Sequence, residues 1–151
     1  MISTQTVGFL ARSTDFWGKD LPNITALDHI VLTVSDLDRA IDFYRAVLGM
    51  THHEFTGTDG TQRHAVSFGA QKINLHLAGQ EFAPHALAPS VGAGDLCFLS
   101  SDSIDVWRTH LATHDIIIEQ GPIKRTGAIG PIMSIYIRDP DGTLIEIANQ
   151  V

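Results

Sequence analysis

The sequence predicts an α+β fold: two βαβββ modules, joined by a connector, closing into one cupped, mixed sheet. Three observations carry this. The order strand, helix, three strands can be read twice along the 151 residues, an internal repeat of roughly 60 residues. Both halves end on the same strand pattern, Ile73-Asn74-Leu75 in the first and Ile145-Glu146-Ile147 in the second. Between them, residues 79–94 are rich in Pro, Ala and Gly and carry no sustained periodicity. Units of that size rarely bury enough surface to stand alone, so the two halves are expected to share one core. The organisation read from the chain is an arm over residues 1–26 and a single domain over 27–150, with module 1 at about 27–78 and module 2 at about 94–150.

Each element has a local reason. The run Leu27-Asp28-His29-Ile30-Val31-Leu32-Thr33-Val34 is rich in branched residues and predicts a strand. Ser35 follows as the expected N-cap, with acidic residues in the first turn. Leu37, Ala40, Ile41, Tyr44 and Leu48 then recur at helical spacing, and Gly49 supplies the stop. Short strands are predicted at about 51–56, 63–68 and 72–77, with Asp59-Gly60 as the turn between the first two. In the second half, residues 95–99 read as a strand, and Ile104, Trp107 and Leu111 mark one face of a helix starting near Ser101 or Ser103. Strands are predicted at 116–119, 132–138 and 143–149, the last two separated by the turn Asp139-Pro140-Asp141-Gly142. Arg125, Thr126 and Gly127 are expected in a loop before the 132–138 strand. The arm shows no periodicity. Its Phe9, Leu10, Phe16 and Trp17 are candidates for packing against a partner.

Composition narrows the function classes. The formal net charge is −7, with no Lys/Arg-rich run. This disfavours nucleic acid and anionic membrane surfaces as partners. No apolar stretch approaches the length of a membrane span. A single cysteine, Cys97, excludes an internal disulfide and fits a cytoplasmic location. Cys97 itself reads as a buried apolar thiol rather than a nucleophile.

Strand alternation supplies the candidate chemistry. If Ile145 and Ile147 face a helix, Leu144, Glu146 and Ala148 face the other way. Likewise Ile73, Leu75 and Leu77 point inward, which leaves Asn74 and His76 on the opposite face. A carboxylate within so apolar a strand needs a metal, a cation or hydrogen-bond donors. Glu146 is therefore the most conspicuous acid, its plainer reading being an ion pair with a residue such as Arg138. His29 and Asp95 open the first strand of each half and occupy equivalent positions. Facing one trough, His29, His76, Asp95 and Glu146 offer imidazole and carboxylate ligands to a divalent transition metal such as Fe, Ni, Co, Mn or Zn. The plainer readings are a surface histidine for His29 and His76, and a turn cap for Asp95. Arg125 suits a substrate carboxylate or phosphate, against a solvated loop arginine. Ser134 and Tyr136 share a strand face that would line the cavity.

Two motifs carry a resemblance. The run 27–37, followed by Ala40-Ile41-Asp42-Phe43-Tyr44 and Val47-Leu48-Gly49-Met50, resembles the opening of the vicinal oxygen chelate superfamily of glyoxalases, bleomycin resistance proteins and extradiol dioxygenases. Asp139-Pro140-Asp141-Gly142-Thr143-Leu144-Ile145-Glu146 resembles its closing signature. Lys72-Ile73-Asn74-Leu75-His76, Asp95-Leu96-Cys97, residues 121–128 and Ile132-Met133-Ser134-Ile135-Tyr136 resemble a narrower branch, glyoxalase domain-containing protein 5 and bacterial glyoxalase-like virulence proteins. The similarity spans about residues 27–150. It implies a glyoxalase-like fold and one divalent metal, with ligands from the first and last strands of each module: His29, the Asn74/His76 strand, Asp95 and Glu146. Asn74 stands where glyoxalase I commonly has glutamate, and Asp95 where many relatives have histidine. The resemblance also implies a homodimer, because many members complete their sites across two subunits.

Three functions follow as expectations. The first is a metalloenzyme acting on a small substrate chelated through adjacent oxygens, as isomerase, lyase or C–C-cleaving dioxygenase, with Glu146 or a metal-bound hydroxide as the proton-moving group and Asn74, Arg125, Ser134 and Tyr136 at the substrate. The alternative is a metal-free, drug-sequestering protein of the bleomycin-resistance kind. The third, thiol or water transfer to an epoxide antibiotic, demands a cationic pocket that the few basic residues of the second half do not favour.

Overall fold

In the computed structural model, which describes residue 14 and residues 16–151, the chain runs β1 (His29–Val34), α1 (Leu37–Ala46), β2 (Thr51–Thr56), β3 (Gln62–Phe68), β4 (Gln71–Leu77), β5 (Asp95–Leu99), α2 (Ile104–Thr113), β6 (Gln120–Thr126), β7 (Pro131–Arg138) and β8 (Leu144–Gln150). The expected doubled order is therefore present. The strands form two four-stranded mixed sheets, ordered β1-β4-β3-β2 and β5-β8-β7-β6. In each, the first and last strands of a module pair in parallel and the remaining pairs are antiparallel. The connection through a helix is what makes the parallel pair possible.

The core is one cluster fed by both modules. Leu32, Val34, Ile73 and Leu75 of the first sheet join Ile135, Ile137, Ile145 and Ile147 of the second, with Ile41, Phe43 and Tyr44 from α1 and Ile104 and Leu111 from α2. The alternation read from the sequence thus holds in both last strands: Ile73 and Leu75, and Ile145 and Ile147, are fully buried. Polar groups also tie the modules together. Tyr44 donates to Asp139 Oδ2 at 3.0 Å, while Asp139 Oδ1 accepts from the backbone of Asp141 and Thr143. Asp141 accepts from the Ser35 backbone at 2.9 Å and from Arg39 at 2.9 Å.

That last network explains one departure. Ser35 does not cap α1, because its hydroxyl is engaged by Asp141. Asp36 is the cap and accepts from the Arg39 N–H at 2.9 Å. Gly49 ends the helical region at φ +67°, a left-handed conformation that glycine adopts without a Cβ penalty. On α2, Ser103 caps by accepting from the Val106 N–H.

The second half needs two corrections. Residues 116–119 are not a strand. Ile116 and Ile118 pack on the core from irregular backbone. The strand instead lies at Gln120–Thr126, so Arg125 belongs to β6 and not to a loop. Pro122 and Gly121 made this stretch read as a turn. Both are tolerated because β6 is an edge strand with a register shift between Gln120 and Ile123. The expectations for Phe9 and Leu10 fall outside the described residues. Phe16 and Trp17 are exposed and stack edge to face. Among the described residues, no helix is long and apolar enough to cross a membrane.

Candidate functional site

Register fixes which residues share a face. On the first sheet, His29 lies beside Lys72, Val31 beside Asn74 and Thr33 beside His76. On the second, Asp95 lies beside Leu144 and Cys97 beside Glu146. The two parallel pairs superpose by position: His29 corresponds to Asp95, Val31 to Cys97, and Asn74 to Glu146. By the same correspondence His76 matches Ala148. His29 and Asn74 are two residues out of register on adjacent strands, about 8 Å apart by strand spacing, whereas His29 and His76 are about 14 Å apart. The register therefore sets His29 nearer to Asn74 than to His76.

Burial singles out the same positions. Among the described residues, four buried side-chain polar atoms have no hydrogen-bond partner: Asn74 Oδ1, His76 Nδ1, Ser134 Oγ and Glu146 Oε1. All four belong to the faces turned away from the helices. A buried polar atom left unpaired costs about 1–3 kcal/mol, and more when charged. Four such atoms lie on two equivalent faces. Arg138 does not neutralise Glu146; it is engaged by Glu119 at 2.7 Å.

The surroundings of each candidate differ. His29 is half exposed and bonds Asp28 through Nδ1 at 2.6 Å, an outer-sphere contact that leaves Nε2 free to act as a ligand. His76 is buried under Phe82, whose ring meets it edge-on at 5.1 Å. Desolvation, and then the Arg63 charge, hold its pKa below the usual histidine range. On the second sheet Tyr136 lies opposite Glu146, and Ser134 opposite Ala148. Arg125 Nε donates to the Tyr136 hydroxyl at 3.0 Å, and a terminal nitrogen reaches Gln120 at 3.3 Å. Because the Tyr136 oxygen accepts from Arg125, its own proton is available to a ligand over Glu146. Arg125 is therefore a brace for Tyr136 and not a free loop cation. Cys97 is exposed beside Glu146 and not buried as its composition suggested. Desolvation by its neighbours and the Glu146 carboxylate push its thiol up to about 11, which keeps it protonated and unreactive at neutral pH.

The candidate ligands are not assembled within one chain. Among the described residues, no three His, Cys, Asp or Glu side chains stand close enough to hold an ion. Each module presents a pair instead. Two further side chains on the first face, Lys72 and Arg63, escaped notice in the sequence. Parity with Asn74 along β4 and pairing across β3 were the signals that would have found them.

Comparison with known proteins agrees with this architecture. Residues 26–147 match the Glyoxalase/Bleomycin resistance protein/Dioxygenase superfamily. The chain is similar to the glyoxalase domain-containing protein RDO1 of Mycosarcoma maydis, 51% identical over 127 residues covering 84% of this chain and 69% of that protein. It is also similar to virulence protein STM3117 of Salmonella typhimurium, 50% identical over 128 residues covering 85% and 86% of the two chains. The crystal structure of STM3117 superposes with a TM-score of 0.80 at 49% identity, covering 86% of this chain and all (100%) of that one. A lactoylglutathione lyase from Agrobacterium tumefaciens gives a TM-score of 0.61 at 26% identity, over 84% of this chain and 95% of that one.

Proposed function

This chain belongs to the glyoxalase, bleomycin resistance protein and dioxygenase superfamily, and on that premise we propose that it is a divalent-metal-dependent enzyme acting on a small substrate chelated through adjacent oxygens, by isomerase, lyase or C–C-cleaving dioxygenase chemistry. One observation carries the reading: Asn74 and Glu146, at matching positions of the two modules, each bury a side-chain oxygen without a partner. A divalent cation satisfies both atoms, and the donor set of imidazole, amide and carboxylate oxygens suits Fe, Ni, Co, Mn or Zn. His29, Asn74, Asp95 and Glu146 would hold it. His76, two residues along β4, is the replacement for Asn74 if the amide does not ligate.

When bound, the metal supplies Lewis-acid polarisation of two neighbouring substrate oxygens. The chain's own residues supply the rest. Tyr136, held by Arg125, donates its hydroxyl proton to the substrate and fixes its orientation. Ser134 Oγ, fully buried and unpartnered, offers a second donor or acceptor on the same face. Glu146 is the carboxylate placed to take or return a proton. Since one chain presents the ligands as two separate pairs, the reading includes a homodimer in which one copy's His29 and Asn74 meet the partner's second module. Exposed apolar side chains on both faces, Val31 at 46% and Leu99 at 60%, support a contact there. The single cysteine fits a reducing, cytoplasmic setting.

Elemental analysis of the purified protein tests this, beside His29→Ala, Glu146→Ala and Glu119→Ala. Near-stoichiometric metal is expected in the wild type and in Glu119→Ala, with a large loss in the other two. Iron would direct the search to oxygen chemistry, and nickel, cobalt or zinc to isomerase or lyase chemistry. Absence of metal after reconstitution with each ion would replace this reading with a drug-sequestering protein. Equal occupancy in Glu146→Ala and Glu119→Ala would remove Glu146 from the site.

A further inference from the structure

The two faces differ at one matched position. Opposite Asn74 in the first sheet stands Ala65, while opposite Glu146 in the second stands Tyr136. A small side chain thus stands beside Asn74 where an aromatic one stands beside Glu146. A cavity of about 210 Å³ opens on the first sheet, lined by Phe55, Arg63, Lys72, Asn74 and His76 among others. At about 30 Å³ per water-sized group, it accommodates roughly seven such groups, the size of a short organic acid.

Its chemistry is cationic in a chain of net charge −7. Lys72 forms no ion pair among the described residues. Its ammonium lies 5.1 Å from the centroid of the Phe55 ring. Arg63 keeps one edge on Asp59 at 2.9 Å and stacks its guanidinium 4.5 Å from the Phe82 ring centroid. Asn74 and His76, which also line the cavity, bury Oδ1 and Nδ1 without a partner; the amide oxygen is an acceptor and serves the metal, not the carboxylate. Asp28, whose charge is felt at Lys72, is hydrogen-bonded to His29 at 2.6 Å. The cavity walls are strand side chains, with no helix N-terminus among the lining residues to add the further donors a dianionic phosphate takes. A planar carboxylate needs only two donors.

We propose that this cavity is a carboxylate subsite: the substrate is a small organic acid, its carboxylate held by Lys72 and Arg63 beside Asn74, and its carbon skeleton laid against Phe55. This deepens the chelate reading and rests on it for the position of the reacting end. The subsite itself needs no metal, so the two can fail separately.

The test is a titration of the full chain, before and after removal of metal with a chelator, followed by amide chemical shifts. The probes are crotonate, its neutral isostere crotonamide, and inorganic phosphate. Crotonate is expected to shift the amides of Phe55 and of residues 72–76, and to bind at least about tenfold more tightly than crotonamide or phosphate, the loss expected for one charge-assisted hydrogen bond. Lys72→Met should weaken crotonate by a similar factor with metal stoichiometry unchanged, and Lys72→Arg should recover most of it. Undiminished binding in a folded Lys72→Met, crotonate shifts centred on Arg125, or no shifts at all would overturn the subsite. Equal binding of crotonamide would remove the charge from the argument, and tighter binding of phosphate would overturn the carboxylate assignment. Loss of metal in Glu146→Ala reports on the chelate reading alone.

Discussion

His52 and His64 stack across β2 and β3 with ring centroids 5.3 Å apart and an Nε2 to Nδ1 distance of 3.1 Å. One ring must donate and the other accept, so the bond survives only while at least one imidazole is neutral. Desolvation, then the charges of His64 and Arg45, lower the His52 pKa, against the opposing pull of Glu54. His76 is lowered as well, by desolvation and Arg63. A histidine with a depressed folded pKa binds its proton more readily when unfolded. Its stabilising contribution is therefore complete above about 6.5, the unfolded value, and is lost as pH falls through the folded value. Urea unfolding should give a stability that declines from pH 7.5 to pH 5. His52→Asn should flatten part of that slope, and an unchanged slope would show that the pair is not titrating. At this scale the sequence was legible wherever alternation alone decided the outcome. It put Asn74, His76 and Glu146 on the faces away from the helices. It did not choose between Asn74 and His76, because that choice depends on which residue of β1 lies beside each.

At the scale of elements, β6 shows where local signals mislead. Its Gly121-Pro122 pair reads as a turn, yet the strand forms because β7 offers a partner and an edge strand tolerates a missing N–H. Gly121 has φ +111°, and a Cβ there would stand 2.4 Å from the Ser134 carbonyl oxygen and 2.9 Å from Ile135 Cα. Gly121→Ala should therefore destabilise the protein by about 1–3 kcal/mol, read as a lower urea midpoint. Because β6 also carries Arg125, the substitution should disturb Tyr136 more than His29, visible as a larger change in the tyrosine ring resonances than in those of the histidine. A midpoint within error of the wild type would mean that the β6–β7 contact yields easily. The helices were simpler. Apolar spacing and Gly49 announced α1, and only its cap was misread, since Ser35 is held by Asp141 from more than a hundred residues away.

For the whole molecule, the pairing of half-sites sets the expectation. If the metal lies between two copies, assembly and occupancy are linked, and each stabilises the other. Sedimentation at micromolar concentration should give a dimeric mass with metal bound. Leu99→Asp places a charge on an exposed apolar position of the second site face. It should shift the protein toward monomer and lower metal stoichiometry together, with the far-ultraviolet circular dichroism preserved. A monomeric mass with metal still bound would sink the shared site. Within one chain, the modules are held by the common core and by Tyr44–Asp139 and Arg39–Asp141, contacts between segments the sequence keeps far apart.

By itself the sequence determined the doubled element order, the α+β class and the buried faces of β4 and β8, because periodicity and alternation are properties of neighbours along the chain. Tertiary structure alone decided the register that sets Val31 beside Asn74 and Cys97 beside Glu146, the bracing of Tyr136 by Arg125, the exposure of Cys97, and the cavity that Lys72 and Arg63 line. Each depends on which strands lie side by side, and no run of adjacent residues encodes that.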